Sequence, residues 1–151
     1  MNEDLQKHLH QADLELASLQ KRAAAFFVDE MLLAILFLII IYDRITGISD
    51  PDAMVEMING FTFEYLLLKV AYQTLFVSQY GASIGKILMK IRVIEITTMQ
   101  KPSFSSALNR SIFRVISEMV FYLGFAWAFY NQERQSWHDK SARTLVVNDQ
   151  Q

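Results

Sequence analysis

Leu5, Leu9, Ala12, Leu16 and Leu19 recur at alternating spacings of four and three with charged residues between them, which predicts an amphipathic helix over residues 1–20. So short a stripe is better suited to packing on its own chain than to pairing two chains. His8 and His10 stand two apart on that helix and face different sides, so they do not assemble a metal site. From Ala23 the pattern changes: AAAFFVDEMLLAILFLIIIY, residues 23–42, is long enough to cross a ~30 Å hydrocarbon layer as one helix. Placing Asp29 and Glu30 in that layer costs roughly 3 kcal/mol apiece, while about a dozen large apolar residues return about 6 kcal/mol, so insertion is balanced before partner helices are counted. A soluble reading requires one helix enclosed on every side, which a domain of this size rarely provides. Glu3 and Asp4 precede the apolar run and no small-residue cleavage pattern follows it, so the segment is expected to be a retained span and not a cleaved signal.

Residues 43–60 are polar, with Asp50, Pro51 and Asp52 as a turn signal, and residues 61–80 form a second span carrying Glu64, Lys69 and Gln73. Residues 81–100 are polar and basic; within them KIRVIEI alternates as a short strand does, ahead of the turn-forming TTMQKPS. Helical character resumes from Ser105 through Tyr130, then NQERQSWHDKSAR is polar and TLVVN is strand-like, suited to pairing with the first strand. The predicted fold class is an all-α membrane protein: about three transmembrane helices (23–42, 61–80, 110–130), an N-terminal amphipathic helix and a small cytoplasmic β-strand pair. The domain division is an arm over 1–20, a membrane domain over 21–147 and a tail over 148–151.

Loop charge sets orientation. The first connection has Arg44 against Asp43, Asp50, Asp52 and Glu56, whereas the second has Lys86, Lys90, Arg92, Lys101 and Arg110 against Glu95. The second connection and the N-terminus are therefore expected in the cytoplasm of a cell whose inner membrane the chain crosses several times. A simple third span then places Arg134, Lys140 and Arg143 outside, against the rule. A hairpin over 110–130, breaking near Gly124, returns the tail. Three spans are the expectation, with the tail's side open. Tyr42, Phe61, Tyr80, Trp127 and Tyr130 fall near span ends, as an interfacial aromatic belt requires.

Composition narrows the function classes. The chain has 151 residues, 52% hydrophobic and 20% charged, no cysteine and a net charge of −2, which fits one domain and excludes disulfide scaffolds and thiolate metal sites. The net charge of −2 and a pI near 5.9 give no general attraction to nucleic acid, and a mean hydropathy of +0.19 leans towards membrane without deciding it. Gly81-Ala82-Ser83-Ile84-Gly85 matches the letters of a serine-hydrolase nucleophile elbow, but an apolar helix precedes it, and His138 and Asp139 are sequence neighbours, not separately placed partners. The same stretch is one residue short of a P-loop, and Ile87 stands where a magnesium-binding hydroxyl is needed. The chain is expected not to be an enzyme, and no cofactor or metal is implied.

Ionisable residues at membrane depth must face protein, a partner charge or water. Arg22 and Asp29, seven apart, share nearly one helix face, and Glu30 lies about a quarter-turn away. Lys69 and Gln73 share a face of the second span, with Glu64 pointing elsewhere, while Arg110, Arg114 and Glu118 form a stripe at spacing four. Glu30, Glu64, Lys69, Gln73, Arg110, Arg114 and Glu118 are thus candidates for an intramembrane polar seam. Such a seam either moves protons or small cations or pairs its charges to fix helix packing.

Four segments in order resemble the RDD family of bacterial multi-pass membrane proteins, named for one arginine and two aspartates. KRAAAFFVD supplies Arg22, Ala25 and Asp29; GASIGKILMKIRVIE supplies Gly81, Ser83, Gly85, Lys86 and Val93; PSFSSALNRSIFR supplies Pro102, Ser103, Phe104, Ala107 and Arg110. RQSWHDKSARTLVV makes Asp139 the candidate second aspartate. The chain departs from the family in TTMQKP, which lacks the usual turn glycine, and at Arg143, where glycine is common. The resemblance implies an integral membrane protein for which cation/proton exchange has been proposed. The expectation is a transporter-like role for protons or small cations, with Asp29 titrating, Arg22 and Asp139 orienting or gating it, and a homo-oligomer supplying the pathway. The alternative is a membrane scaffold that binds a protein through the arm and the basic loop.

Overall fold

A computed structural model describes residues 3–120, 123–130 and 132–149. The first helix, α1 (Glu3–Gln11), is shorter than the one expected over residues 1–20. Asp13 takes a positive φ of 52° and the Leu14 N–H returns to the Leu9 carbonyl at 2.9 Å. Beyond it the chain is extended: Leu16 bridges Val147, and the Ala17 N–H reaches the Val146 carbonyl at 2.9 Å. The helix gives way because Leu9, Leu14 and Leu16 bury themselves against Ile94, Leu145 and Val147. The arm's apolar stripe is used by its own chain.

Ser18 caps α2 (Leu19–Ile45) by accepting the Lys21 N–H at 3.3 Å. At 1.5 Å per residue its 27 residues extend about 40 Å. Only 22% of its most apolar stretch is buried, with Ile39 and Ile40 more than 60% exposed, which a soluble core helix does not tolerate. Among the described residues α2 is the one helix long and apolar enough to cross a membrane on composition alone. The Asp50–Pro51 turn signal proves to be a helix start: Asp50 accepts the Ala53 N–H and α3 (Pro51–Gly60) follows. Then α4 (Thr62–Tyr80) runs to Gly81, whose φ of 72° closes it.

Next come α5 (Ile84–Leu88), β1 (Ile91–Glu95), α6 (Phe104–Met119), α7 (Leu123–Tyr130), α8 (Trp137–Ser141) and β2 (Thr144–Asn148). The expected strand pair forms, antiparallel, with Ile91 opposite Asn148 and Glu95 opposite Thr144. Ile91, Val93 and Val146 pack with Ala17 and Val77 beneath it. The third apolar segment is not the single helix expected over 110–130. It is divided between α6, which begins earlier at a Ser103 cap, and α7, the helix ending where Val120 leaves helical geometry at ψ 51°. The break precedes Gly124. Since β2 pairs with β1, and Val93 donates its N–H to the Gly81 carbonyl at 2.7 Å, the tail lies at the end of the bundle where α4 finishes and α2 starts.

Polarity is inverted relative to a water-soluble core. Asp29, Lys69, Gln73, Arg110, Ser111, Arg114 and Ser117 are buried between helices, while Leu38, Phe63, Leu67, Leu75 and Met119 face outward. That distribution suits lipid outside and a satisfied polar interior.

Both departures from the family pattern sit on strained backbone: Met99 has φ 53° and Arg143 has φ 51°. Arg143→Gly is expected to raise stability by roughly 0.5–1 kcal/mol, because the left-handed conformation costs a side chain more than glycine loses in entropy. Denaturation in mixed micelles reads the change, and an unaltered midpoint would mean the strain is relaxed elsewhere.

Candidate functional site

Three linked clusters occupy the polar interior. In the first, Asp29 of α2 receives the Tyr72 hydroxyl at 2.8 Å, the Gln73 amide at 3.3 Å, the Ser83 hydroxyl at 2.6 Å and the Gly85 N–H at 2.8 Å. Lys86 Nζ and Arg114 Nη1 each stand 4.0 Å from it. The carboxylate joins α2, α4 and the start of α5, and a proton on it has to displace one of these donors. The approach is close because residue 85 is glycine: a Cβ there would collide with the Ala25 carbonyl and come within 2.9 Å of Asp29 Oδ1. Ser83, the serine of the G-x-S-x-G letters, is fully buried, donates to Asp29 and accepts from Lys86 Nζ at 3.1 Å.

The second cluster is a quartet across three helices. Lys69 Nζ bonds Glu30 at 2.9 Å and also Glu118; Arg114 reaches Glu30 and Glu118 at 3.3 Å each. Two acids meet two bases. Glu30 is the accessible member, its side chain 23% exposed against 7–9% for the other three.

The third cluster closes the end of the bundle. Asp139 of α8 bonds Arg22 of α2 and Arg110 of α6, and it accepts the Ser136 N–H at 2.9 Å as part of a capping box. Arg22 also reaches Ser136 Oγ at 2.9 Å and the Arg134 carbonyl, and Arg110 reaches Thr144 at 2.8 Å. Burial works to raise the Asp139 carboxyl, but Arg110 and then Arg22 outweigh it and hold the group well below the usual carboxylate range. Burial pushes His138 well below ordinary histidine values, with Asp139 opposing and the arginines reinforcing. Burial also brings Lys86 down to about 7, against the pull of Asp29.

The pH response has one sign. Below about pH 6.5 an unfolded chain protonates its histidine while buried His138 stays neutral, and near pH 4 it protonates an aspartate while Asp139 stays ionised. In both ranges the unfolded state binds more protons, so stability falls as the medium is acidified. The thermal midpoint in detergent is expected to drop between pH 7 and pH 4, and His138→Gln to flatten the portion near pH 6. A midpoint unchanged over that range would refute the assignment.

Between the second and third clusters lies a partly open cavity of about 230 Å³, lined by α2, α5, α6, α7 and the start of α8. Its charged lining residues are Arg22, Lys86, Arg110 and Arg114, and Phe26 and Phe129 form apolar wall. Among the described residues no group of three or more His, Asp or Glu side chains is placed to hold a metal ion.

The residues expected to form one seam are thus distributed. Glu30, Lys69, Arg114 and Glu118 meet; Gln73 binds Asp29; Arg110 binds Asp139; Arg22 meets Asp139 and not Asp29. Glu64 stays exposed near the start of α4 and takes no part, a correction that follows from its place on the outer face. Sequence reasoning left Tyr72, Lys86, Ser136 and His138 out of the site. Lys86 was marked only as part of the family-like segment GASIGKILMKIRVIE, and Tyr72, adjacent to Gln73, carried no signal.

The sequence profile of the RDD family matches residues 16–143, which contain all three clusters. The chain is 31% identical over 104 residues to proteins called "Proline-rich antigen homolog" in two strains of Mycobacterium tuberculosis. That alignment covers 66% of this chain and 42% of each relative, so the chain spans less than half the length of the curated relatives it matches. No solved structure matches.

Proposed function

The chain belongs to the RDD family, and from that premise we propose that it is a multi-pass inner-membrane protein with a transporter-like, non-enzymatic role in moving protons. In this reading α2 and α4 cross the bilayer, α6 and α7 dip in from the cytoplasmic face and return, and both the N-terminus and the tail are cytoplasmic. This arrangement keeps Lys90, Arg92, Lys101, Arg134, Lys140 and Arg143 on one side and Asp50, Asp52 and Glu56 on the other. The observation that carries the proton reading is Glu30, the partly exposed end of a buried network of alternating acids and bases. A proton arriving at Glu30 weakens its bonds to Lys69 and Arg114, and both cations retain Glu118 as the alternative acceptor. Asp29, with four donors, serves as the fixed joint on which the helices are set.

The cationic lining of the cavity disfavours any cation there, so in this reading protons pass through the Glu30 network and not through the cavity. A homo-oligomer completes the pathway, since this bundle encloses little space by itself. The scaffold alternative has less support, because Leu9 and Leu16 of the arm are already packed on the sheet. In proteoliposomes with an imposed pH gradient, wild type is expected to dissipate the gradient faster than empty vesicles, and Glu30→Gln to slow it at least tenfold while the protein remains folded. Wild-type vesicles no faster than empty ones, under sodium, potassium and lithium gradients as well, would remove the transport reading.

A further inference from the structure

Every charged residue lining the 230 Å³ cavity is a cation. Arg114 is balanced by Glu30 and Glu118, which it shares with Lys69, while Arg22, Lys86 and Arg110 have only the buried acids Asp29 and Asp139 behind them, so cations outnumber acids by one at this wall. Their donors are not exhausted. Arg110 spends Nη1 on Asp139 and Thr144, and among the described residues its Nη2 has no hydrogen bond; Arg114 uses Nε on Glu118 and Nη2 on Glu30, and its Nη1 lies 4.0 Å from Asp29, beyond hydrogen-bond reach; Lys86 Nζ makes one hydrogen bond, to Ser83. The three arginines repel one another and press on the charge of Lys86, and an anion within the space reverses the sign of that interaction and favours the charged ammonium. Guanidinium groups and an ammonium in one wall match the tetrahedral oxygens of phosphate. The cavity is also several times the roughly 30 Å³ that a water occupies, and the rings of Phe26 and Phe129 accept an apolar body beside the anion.

We propose that this cavity is a binding site for a phosphate monoester, whose oxygens are held by Arg22, Lys86, Arg110 and Arg114 and whose organic part lies against Phe26 and Phe129. The site stands at the end of the bundle that carries the sheet, where membrane-derived and soluble phosphate esters both have access. Binding is measured in detergent without any gradient, so its failure leaves the proton reading intact, and failed transport leaves this one intact.

The test uses the purified full chain and three probes at constant ionic strength: dioctanoyl phosphatidic acid, dioctanoyl phosphatidylcholine and inorganic phosphate, followed by calorimetry and by thermal midpoint. The expected result is saturable binding of phosphatidic acid, at least tenfold tighter than phosphatidylcholine, weakened at least tenfold by Lys86→Gln and restored by Lys86→Arg. Lys86 is the residue to vary because its one hydrogen bond is to Ser83, and its arginine variant separates lost charge from lost fold. Inorganic phosphate binding as tightly as phosphatidic acid would also support the site and assign its ligand to the soluble pool. Equal binding of the two lipids with no response to phosphate, or affinity unchanged in Lys86→Gln, would overturn the proposal.

Discussion

Asp139→Ala is expected to lower stability by about 3–5 kcal/mol. It leaves Arg22 and Arg110 buried together without their shared counter-ion and removes the carboxylate that caps α8. Because Asp139 joins α2, α6 and α8, the loss extends beyond a pair: the tail detaches from the start of α2, and β2 loses the Arg110 to Thr144 bond next to it. Unfolding in mixed micelles measures the effect, with Glu64→Ala as the exposed comparison, expected to stay within about 0.5 kcal/mol. Asp139→Ala behaving like Glu64→Ala would mean that water, not protein, neutralises the arginines.

Gly85→Ala is the second large effect, expected to cost about 3 kcal/mol. The new methyl group meets backbone, the Ala25 carbonyl, and not a side chain that can rotate away. Relief requires α5 to lift from α2, which stretches the Gly85 N–H bond to Asp29 and draws Ser83 and Lys86 from their places. The same micelle assay reads it, and a cost below 1 kcal/mol would show that α5 moves freely. Ala25 explains itself by the same contact: it is fully buried where the α5 backbone crosses α2.

The apolar run from Ala23 and the alternation in KIRVIE were legible because each is a local pattern matched to one environment, lipid or sheet. The stripe of Arg110, Arg114 and Glu118 was legible as well, since spacing fixes which residues share a helix face. What the pattern did not reveal is tertiary. The arm keeps helical periodicity through Leu19, yet the chain leaves the helix after Gln11 because the sheet edge offers Leu14 and Leu16 a better place. A break near Gly124 was offered as one way to return the tail, on loop charge alone; the helix ends earlier, at Met119, and the next begins at Leu123. Arg22 and Asp139, 117 positions apart, were linked through resemblance to a family and not through spacing. Glu64 was counted among the seam candidates although its spacing already turned it away from Lys69 and Gln73, and it lies exposed near the start of α4. Lys86 escaped because a basic residue in a basic loop reads as solvated, and only the fold places it in a cavity with three arginines.

The arrangement stands or falls on sidedness. The chain has no cysteine, so single cysteines introduced at exposed positions report without background. Asp52→Cys, Thr98→Cys and Lys140→Cys mark the α3 end, the turn after β1 and the tail. With an impermeant maleimide, Thr98→Cys and Lys140→Cys are expected to react in inside-out vesicles and Asp52→Cys in right-side-out vesicles. If Lys140→Cys reacts from the same side as Asp52→Cys, then α6 and α7 cross the bilayer, the strand pair and the Arg22–Asp139 contact do not exist in the membrane, and the site built on them is lost.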